Sequence, residues 1–325
     1  MLHKIYNKYH TYRKEQEKIR IKAKSTSFSN LFQPDGHISF KEFAEIIEQM
    51  GVNNSNNILI RLSSQVIPYL EGGILNFYNN LFQYVDSGNG NLMSLSYTFD
   101  RSPLMFLSQS PLFSAEHSPT TLGLCNELFR RMNNISRSIH PTHSVSVYGK
   151  DRLEITATHH LDPHTYSTQS PFAYLYKHGV GKEIIIGLNC SSVGQHFIEN
   201  VTNITGVIEK PILCKIEIDG KKQQKPFYAD NPFIKNFSTY HKDQFINFLK
   251  MEGILKQSFI KGISVYIYDS RLFYDKLGPI YNSDKRPYNP LLMRTFFLNK
   301  IIRPLILKSF FEEKKTHYIA RNINE

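Results

Sequence analysis

The chain has 325 residues, 41% of them hydrophobic and 13% aromatic, enough to bury a sizeable core and too apolar for a disordered chain. Cys125, Cys190 and Cys214 lie far apart with no C-x-x-C pair, which excludes a disulfide framework and a cysteine zinc site. No run is apolar enough for a signal peptide or a membrane span, so a cytoplasmic protein is expected. The formal charge of +11 points to an anionic partner, but there is no zinc-finger spacing, RNP-type aromatic motif or helix-turn-helix, so nucleic acid is not expected.

Residues 1–24 read as a basic N-terminal extension. Ser39-Phe-Lys-Glu42 is a capping box that opens a helix through Met50, with Phe40, Phe43, Ile46, Ile47 and Met50 at helical spacing and Gly51 closing it. A strand over Ile58–Leu62, a helix over Gly73–Val85, a Gly-Asn-Gly turn and a strand over Leu92–Phe99 follow. Then come a helix over Leu122–Met132, strands over Ser144–Tyr148 and Glu183–Leu188, and a short helix over Val193–Val201. Strands over Pro211–Ile218 and Ile263–Tyr268 flank a helix over Lys242–Met251. This alternation predicts an α/β fold with a mixed central β-sheet flanked by helices. Pro290–Glu313 reads as a basic amphipathic helix in a C-terminal helical extension of residues 281–325. Its apolar stripe needs a cover, for which the core or a second copy in a homodimer is expected ahead of a membrane surface.

Several motifs have plain explanations. Asp35 to Glu42 imitates the second half of an EF-hand loop, but the preceding residues lack the calcium ligands, and a turn with a capping box accounts for it. Gly179-Val-Gly-Lys182 precedes a strand instead of opening a helix, which is wrong for a phosphate loop. Cys125 shares an apolar helix face with Leu124, Leu128 and Phe129, as a structural thiol does. His159, His160, His164 and His196 crowd one region, yet no metal is expected.

The informative residues are Ser118-Pro-Thr-Thr-Leu-Gly123, Arg137-Ser-Ile-His-Pro-Thr-His-Ser144, Tyr148-Gly-Lys150, His160-Leu-Asp162, Gln169-Ser-Pro171, Ile184-Ile-Ile-Gly187 and His196-Phe-Ile-Glu199. In this order and spacing they resemble the aminoglycoside 3-N-acetyltransferase (antibiotic N-acetyltransferase) family, with its P-T-x-x-G turn, R-S-x-H-P-x-x-S element and H-L-A-E segment. More thinly, the resemblance spans residues 39 to 278. Leu62 stands where the family has His in its strand before Ser63-Ser64, and Met93 is followed by Ser94 where the family has Pro.

The resemblance implies an antibiotic N-acetyltransferase-like domain over residues 25–280 and a coenzyme A-dependent N-acyltransferase. Acetyl-CoA or another acyl-CoA is the co-substrate, and a small-molecule amine of an amino sugar is the acceptor. An amine with a pKa of about 8 is mostly ammonium at neutral pH and lacks the lone pair that attacks, so a base is required. His160 is placed in that catalytic role, with Asp162 or Glu199 orienting it, against the plain reading of a hydrogen-bonded core histidine. His196 and Glu199, three apart on a helix, face one cleft and suit substrate binding, although a surface pair would look the same. Ser63, Ser64, Thr120, Thr121, Gly123, Ser138 and Ser144 are placed around coenzyme A, where each could equally be a cap or turn residue. No nucleophile pair is present, so direct transfer without an acyl-enzyme is expected. The charge of +11 favours an anionic, nucleotide-linked amino sugar of surface-polysaccharide biosynthesis. The alternatives are an aminoglycoside antibiotic and a non-catalytic coenzyme A- or sugar-binding protein of the same fold, the latter favoured by Leu62.

Overall fold

Ser39 caps the first helix, α1 (Phe40–Gln49), through the predicted box: its hydroxyl accepts from the Glu42 N–H at 3.2 Å, and the Glu42 carboxylate accepts from the Ser39 N–H at 3.0 Å. The computed structural model describes residues 36–100, 102–177, 180–202, 211–229, 238–239, 242–282 and 294–295. After α1 come β1 (Asn57–Leu62), α2 (Gly73–Gly88), β2 (Asn91–Leu95), α3 (Pro103–Ser108) and β3 (Leu112–Phe113). The next elements are α4 (Leu124–Arg130), β4 (Ser136–Arg137), β5 (Val145–Gly149), α5 (Arg152–Ala157) and α6 (Pro171–Tyr176). They are followed by β6 (Gly181–Ile186), α7 (Gly194–Val201), β7 (Ile212–Ile218), β8 (Lys221–Phe227) and β9 (Ser238–Thr239). The series closes with α8 (Lys242–Met251), β10 (Leu255–Ile260), β11 (Ile263–Asp269), α9 (Ser270–Asn282) and β12 (Arg294–Thr295).

Seven strands form one mixed sheet in the order β10-β11-β6-β1-β2-β5-β4. Its centre, β6-β1-β2, is parallel, and the flanking strands are antiparallel. Parallel strands covered on both faces read as continuous apolar runs, which is why Asn-Ile-Leu-Ile-Arg-Leu shows no alternation. Ile58, Ile60, Leu62, Leu92, Ile184 and Ile186 pack on one face with Phe43 and Ile47 of α1 and Phe77 and Leu81 of α2. Leu59, Met93, Val147 and Ile185 pack on the other with Phe172 and Tyr176 of α6, Phe197 of α7 and Phe273 of α9.

A small second sheet, β3-β7-β8, buries Phe113, Cys214, Ile216 and Phe227 in its own cluster. Its hairpin turns at Asp219-Gly220, with φ of 50° and 72°, the left-handed pair that a two-residue turn between twisted strands demands.

Two expectations change. The strand predicted to run to Phe99 is regular only to Leu95, although the Ser96 and Thr98 N–H groups beyond it still donate to the Ser144 and Thr142 carbonyls. Within the predicted Pro290–Glu313 helix, Arg294 and Thr295 instead pair antiparallel with Thr239 and Ser238, so the backbone there is extended and satisfied across a ladder. The rest of that segment, and residues 1–24, lie outside the described residues. Among the described residues no helix is long and apolar enough to cross a membrane.

Candidate active site

Parallel strands β1, β2 and β6 all point their carboxyl ends to one edge of the sheet, where an open α/β sheet takes its ligands. β1 runs into Ser63 and Ser64, β2 into Ser96–Phe99, and β6 into the loop 187–193 that delivers α7. Ring contacts tie the last two connections together. Tyr97 lies edge-on to His143 at 4.4 Å, His143 faces Tyr166 at 5.4 Å, and Tyr166 faces His196 at 5.5 Å. Tyr97 and Tyr166 also join hydroxyl to hydroxyl at 3.1 Å.

His196 and Glu199 stand together on α7. Their i, i+3 spacing places Nδ1 3.1 Å from Oε2, and the imidazole is 37% exposed. With Nδ1–H donated to the carboxylate, the ring is held in one orientation by its helix neighbour.

His160 lies in the short turn His159–Leu161 that follows α5. Burial, followed by the Lys225 ammonium on β8, lowers its pKa from the ordinary value, and Nδ1 is buried without a hydrogen-bond partner. Asp162, expected to orient it, instead accepts from the His164 ring at 2.9 Å, and His164 stacks on Tyr228 at 4.4 Å. The neighbouring His159 is fully buried, with Nδ1 2.9 Å from Ser138 Oγ and Nε2 3.0 Å from the Thr165 carbonyl. Burial pushes its pKa down to about 4. The Asp162 carboxylate thus accepts from His164, and burial holds the His160 imidazole below the ordinary range.

The seven residues placed around coenzyme A divide. Ser63 caps the turn after β1 by accepting from Gln65 N–H. Ser64 Oγ lies 3.9 Å from the Cys125 thiol and beside Gly123, whose added Cβ would stand 3.5 Å from it. Thr120 and Thr121 donate their hydroxyls to the carbonyls of Tyr97 and Phe99, pinning their loop to the end of β2. Ser138 and Ser144 are 0% exposed. Ser138 takes Val145 N–H and meets His159, and Ser144 donates to the Ser96 carbonyl, so both brace the frame beneath the site.

Three charged residues were given no role from the sequence. Arg137 spreads its buried guanidinium over the Ser144 hydroxyl and the carbonyls of Ala115, Ser118 and Ser96, 5.1 Å from the Phe113 ring. Burial lowers its pKa to about 9. Arg61 and Glu183 pair across β1 and β6 beneath the loop that leads to α7. Arg61 carried a signal, as the lone charge inside an apolar strand run, whereas Glu183 follows Lys182 and does not stand out.

Known proteins agree with this arrangement. The solved structure of the YokD protein from Bacillus subtilis superposes with a TM-score of 0.63 at 19% identity, covering 78% of this chain and 97% of that one. An aminoglycoside acetyltransferase AAC(3)-IVa mutant in complex with gentamicin gives 0.63 at 19% identity, with 78% and 92% covered. AAC-IIIb, solved as a binary complex with CoASH, gives 0.59 at 17% identity, with 75% and 96% covered. At these identities the likeness shows the fold. No curated protein matches by sequence. The family model described as aminoglycoside 3-N-acetyltransferase matches residues 59–277, the stretch from β1 to α9 that builds the sheet and the site, and the chain belongs to that family of acyltransferases.

Proposed function

We propose that the chain transfers an acetyl group from acetyl-CoA directly to a primary amine of an aminoglycoside-type amino sugar, with His196 as general base and Glu199 as its partner. The observation that carries this reading is the His196–Glu199 pair, a partly exposed imidazole with one nitrogen held by a carboxylate at 3.1 Å. The amine nitrogen attacks the thioester carbonyl as its proton passes to His196 Nε2. The C–N bond forms, the C–S bond breaks, and the departing sulfur of coenzyme A takes a proton back. Glu199 balances the transient imidazolium. Ser64, Gly123 and the loop held by Thr120 and Thr121 line the β1–β2 side of the same edge and suit the coenzyme.

The positive charge that would favour an anionic acceptor lies at the two ends of the chain. Residues 1–24 hold eight Lys and Arg against two Glu, and residues 281–325 hold nine against four acids. The whole +11 therefore belongs to the two ends, and residues 25–280 are neutral overall. A neutral domain raises no long-range field against a polycation. Family membership and the gentamicin-bound relative support the aminoglycoside reading over the nucleotide-linked one.

Thiol release from acetyl-CoA with gentamicin, sisomicin and a nucleotide-linked amino sugar, with product masses, tests this. Faster acetylation of the aminoglycosides is expected. Exclusive acetylation of the nucleotide-linked sugar would refute the acceptor, and no transfer to any amine would refute the activity.

A further inference from the structure

A buried ion pair lies under the helix that bears His196. Arg61 Nη1 stands 3.0 Å from Glu183 Oε1, with the Glu183 side chain at 0% exposure. A buried pair of this kind gains little net stability over an apolar pair of similar volume, so its other contacts matter more than the Coulomb attraction. Those contacts all lead to one place. Glu183 Oε2 accepts from the Ser192 hydroxyl at 2.5 Å and from the Val193 N–H at 3.3 Å. Ser192 Oγ in turn accepts from the Gly194 N–H at 2.9 Å, and Arg61 donates to the Ser191 carbonyl.

Val193 is the residue whose carbonyl starts α7, accepting from the N–H groups of His196 at 3.1 Å and Phe197 at 3.3 Å. A continuous path of hydrogen bonds thus runs from the Glu183 carboxylate through Val193 to the backbone of His196. Tyr176 closes the assembly from below. Its hydroxyl lies 3.3 Å from Glu183 Oε2, and its ring fills the space a side chain at Gly194 would need, since a Cβ there would fall 2.8 Å from Tyr176 Cε1. A carboxylate beside the first N–H groups of α7 also complements the positive end of the helix dipole.

We propose that Glu183, oriented by Arg61, is a positioning residue for acyl transfer: it fixes the first turn of α7 and thereby the place of the His196 imidazole. This rests on the reading of His196 as the base. Displacing a base by about an ångström is enough to cost about 10²-fold in rate.

The test compares kcat, the KM for acetyl-CoA and the melting temperature in three variants. The double variant Arg61→Met with Glu183→Leu replaces the pair by apolar side chains and removes the grip on residues 191–193. It should melt within a few degrees of wild type, keep its KM for acetyl-CoA within about threefold and lose about 10- to 100-fold in kcat. A merely structural pair would let kcat recover in this charge-neutral variant, and that result overturns the proposal while leaving His196 as base. His196→Ala reports on the underlying reading, and if it retains kcat, base and positioning residue fall together. Should the double variant not fold, Ser192→Ala removes only the bridging hydroxyl and should lower kcat by about fivefold. Unchanged turnover in that variant overturns the proposal equally.

Discussion

His159, in the turn after α5, is fully buried with both ring nitrogens engaged, by Ser138 and by the Thr165 carbonyl. His196, on α7, is about one-third exposed and has Nδ1 on a carboxylate. Both touch the same aromatic floor, His159 through Phe172 at 6.4 Å and His196 through Tyr166 at 5.5 Å, and those two rings meet at 4.8 Å. His140, stacked on His159 at 4.6 Å, joins the buried set, and burial holds its pKa well below the ordinary value. The contrast teaches that solvent access and a charged partner, more than residue type, separate a histidine open to a ligand from one that holds a fold together.

The sharpest way to break the comparison is His196→Ala. Loss of the base should lower kcat by about 10² to 10⁴ while coenzyme A affinity, read by calorimetry, stays within a few fold. The deficit should shrink at high pH, where free amine already exists. An unchanged kcat in a folded His196→Ala protein would move the chemistry away from α7.

The buried partner should respond in stability. His159 has a folded pKa of about 4, below the ordinary histidine value, so between these limits the unfolded chain binds a proton that the native chain does not. Stability is therefore complete above the unfolded pKa and falls as pH drops toward 4, by about 3 kcal/mol for this group alone. Urea unfolding midpoints at neutral pH and at about pH 5 read the slope, and His159→Gln should flatten it. An equal slope in that variant would mean that other groups carry the acid sensitivity.

The smallest effect separates the two histidines that adjoin in sequence. His160→Ala should change kcat by less than about fivefold, since its ring lies beside Lys225 and the supporting carboxylate serves His164. A loss on the scale expected for His196→Ala would restore His160 as the base.

Much of the fold was legible because local rules dominate it. The Ser39 box, the Gly-Asn-Gly turn and the α8 span from Lys242 to Met251 follow from capping, left-handed turn residues and apolar periodicity. The strand Lys221–Phe227 was missed because Lys-Lys-Gln-Gln-Lys carries no apolar signal. It is a strand because β7 and an Asp-Gly turn recruit it, and its lysines suit an exposed edge. Helices α5 and α6 span six residues each, too short for periodicity to announce them.

At the site, the sequence alone determined the family and the pairing of His196 with Glu199, because i, i+3 spacing on a helix is a local fact. Only the tertiary structure decided which histidine meets solvent, that Asp162 turns to His164, that Ser138 and Ser144 lie beneath the surface, and that Glu183 reaches the start of α7 from another strand. Burial and charge environment are sums over neighbours distant in the chain. A residue's own position in the sequence does not contain them.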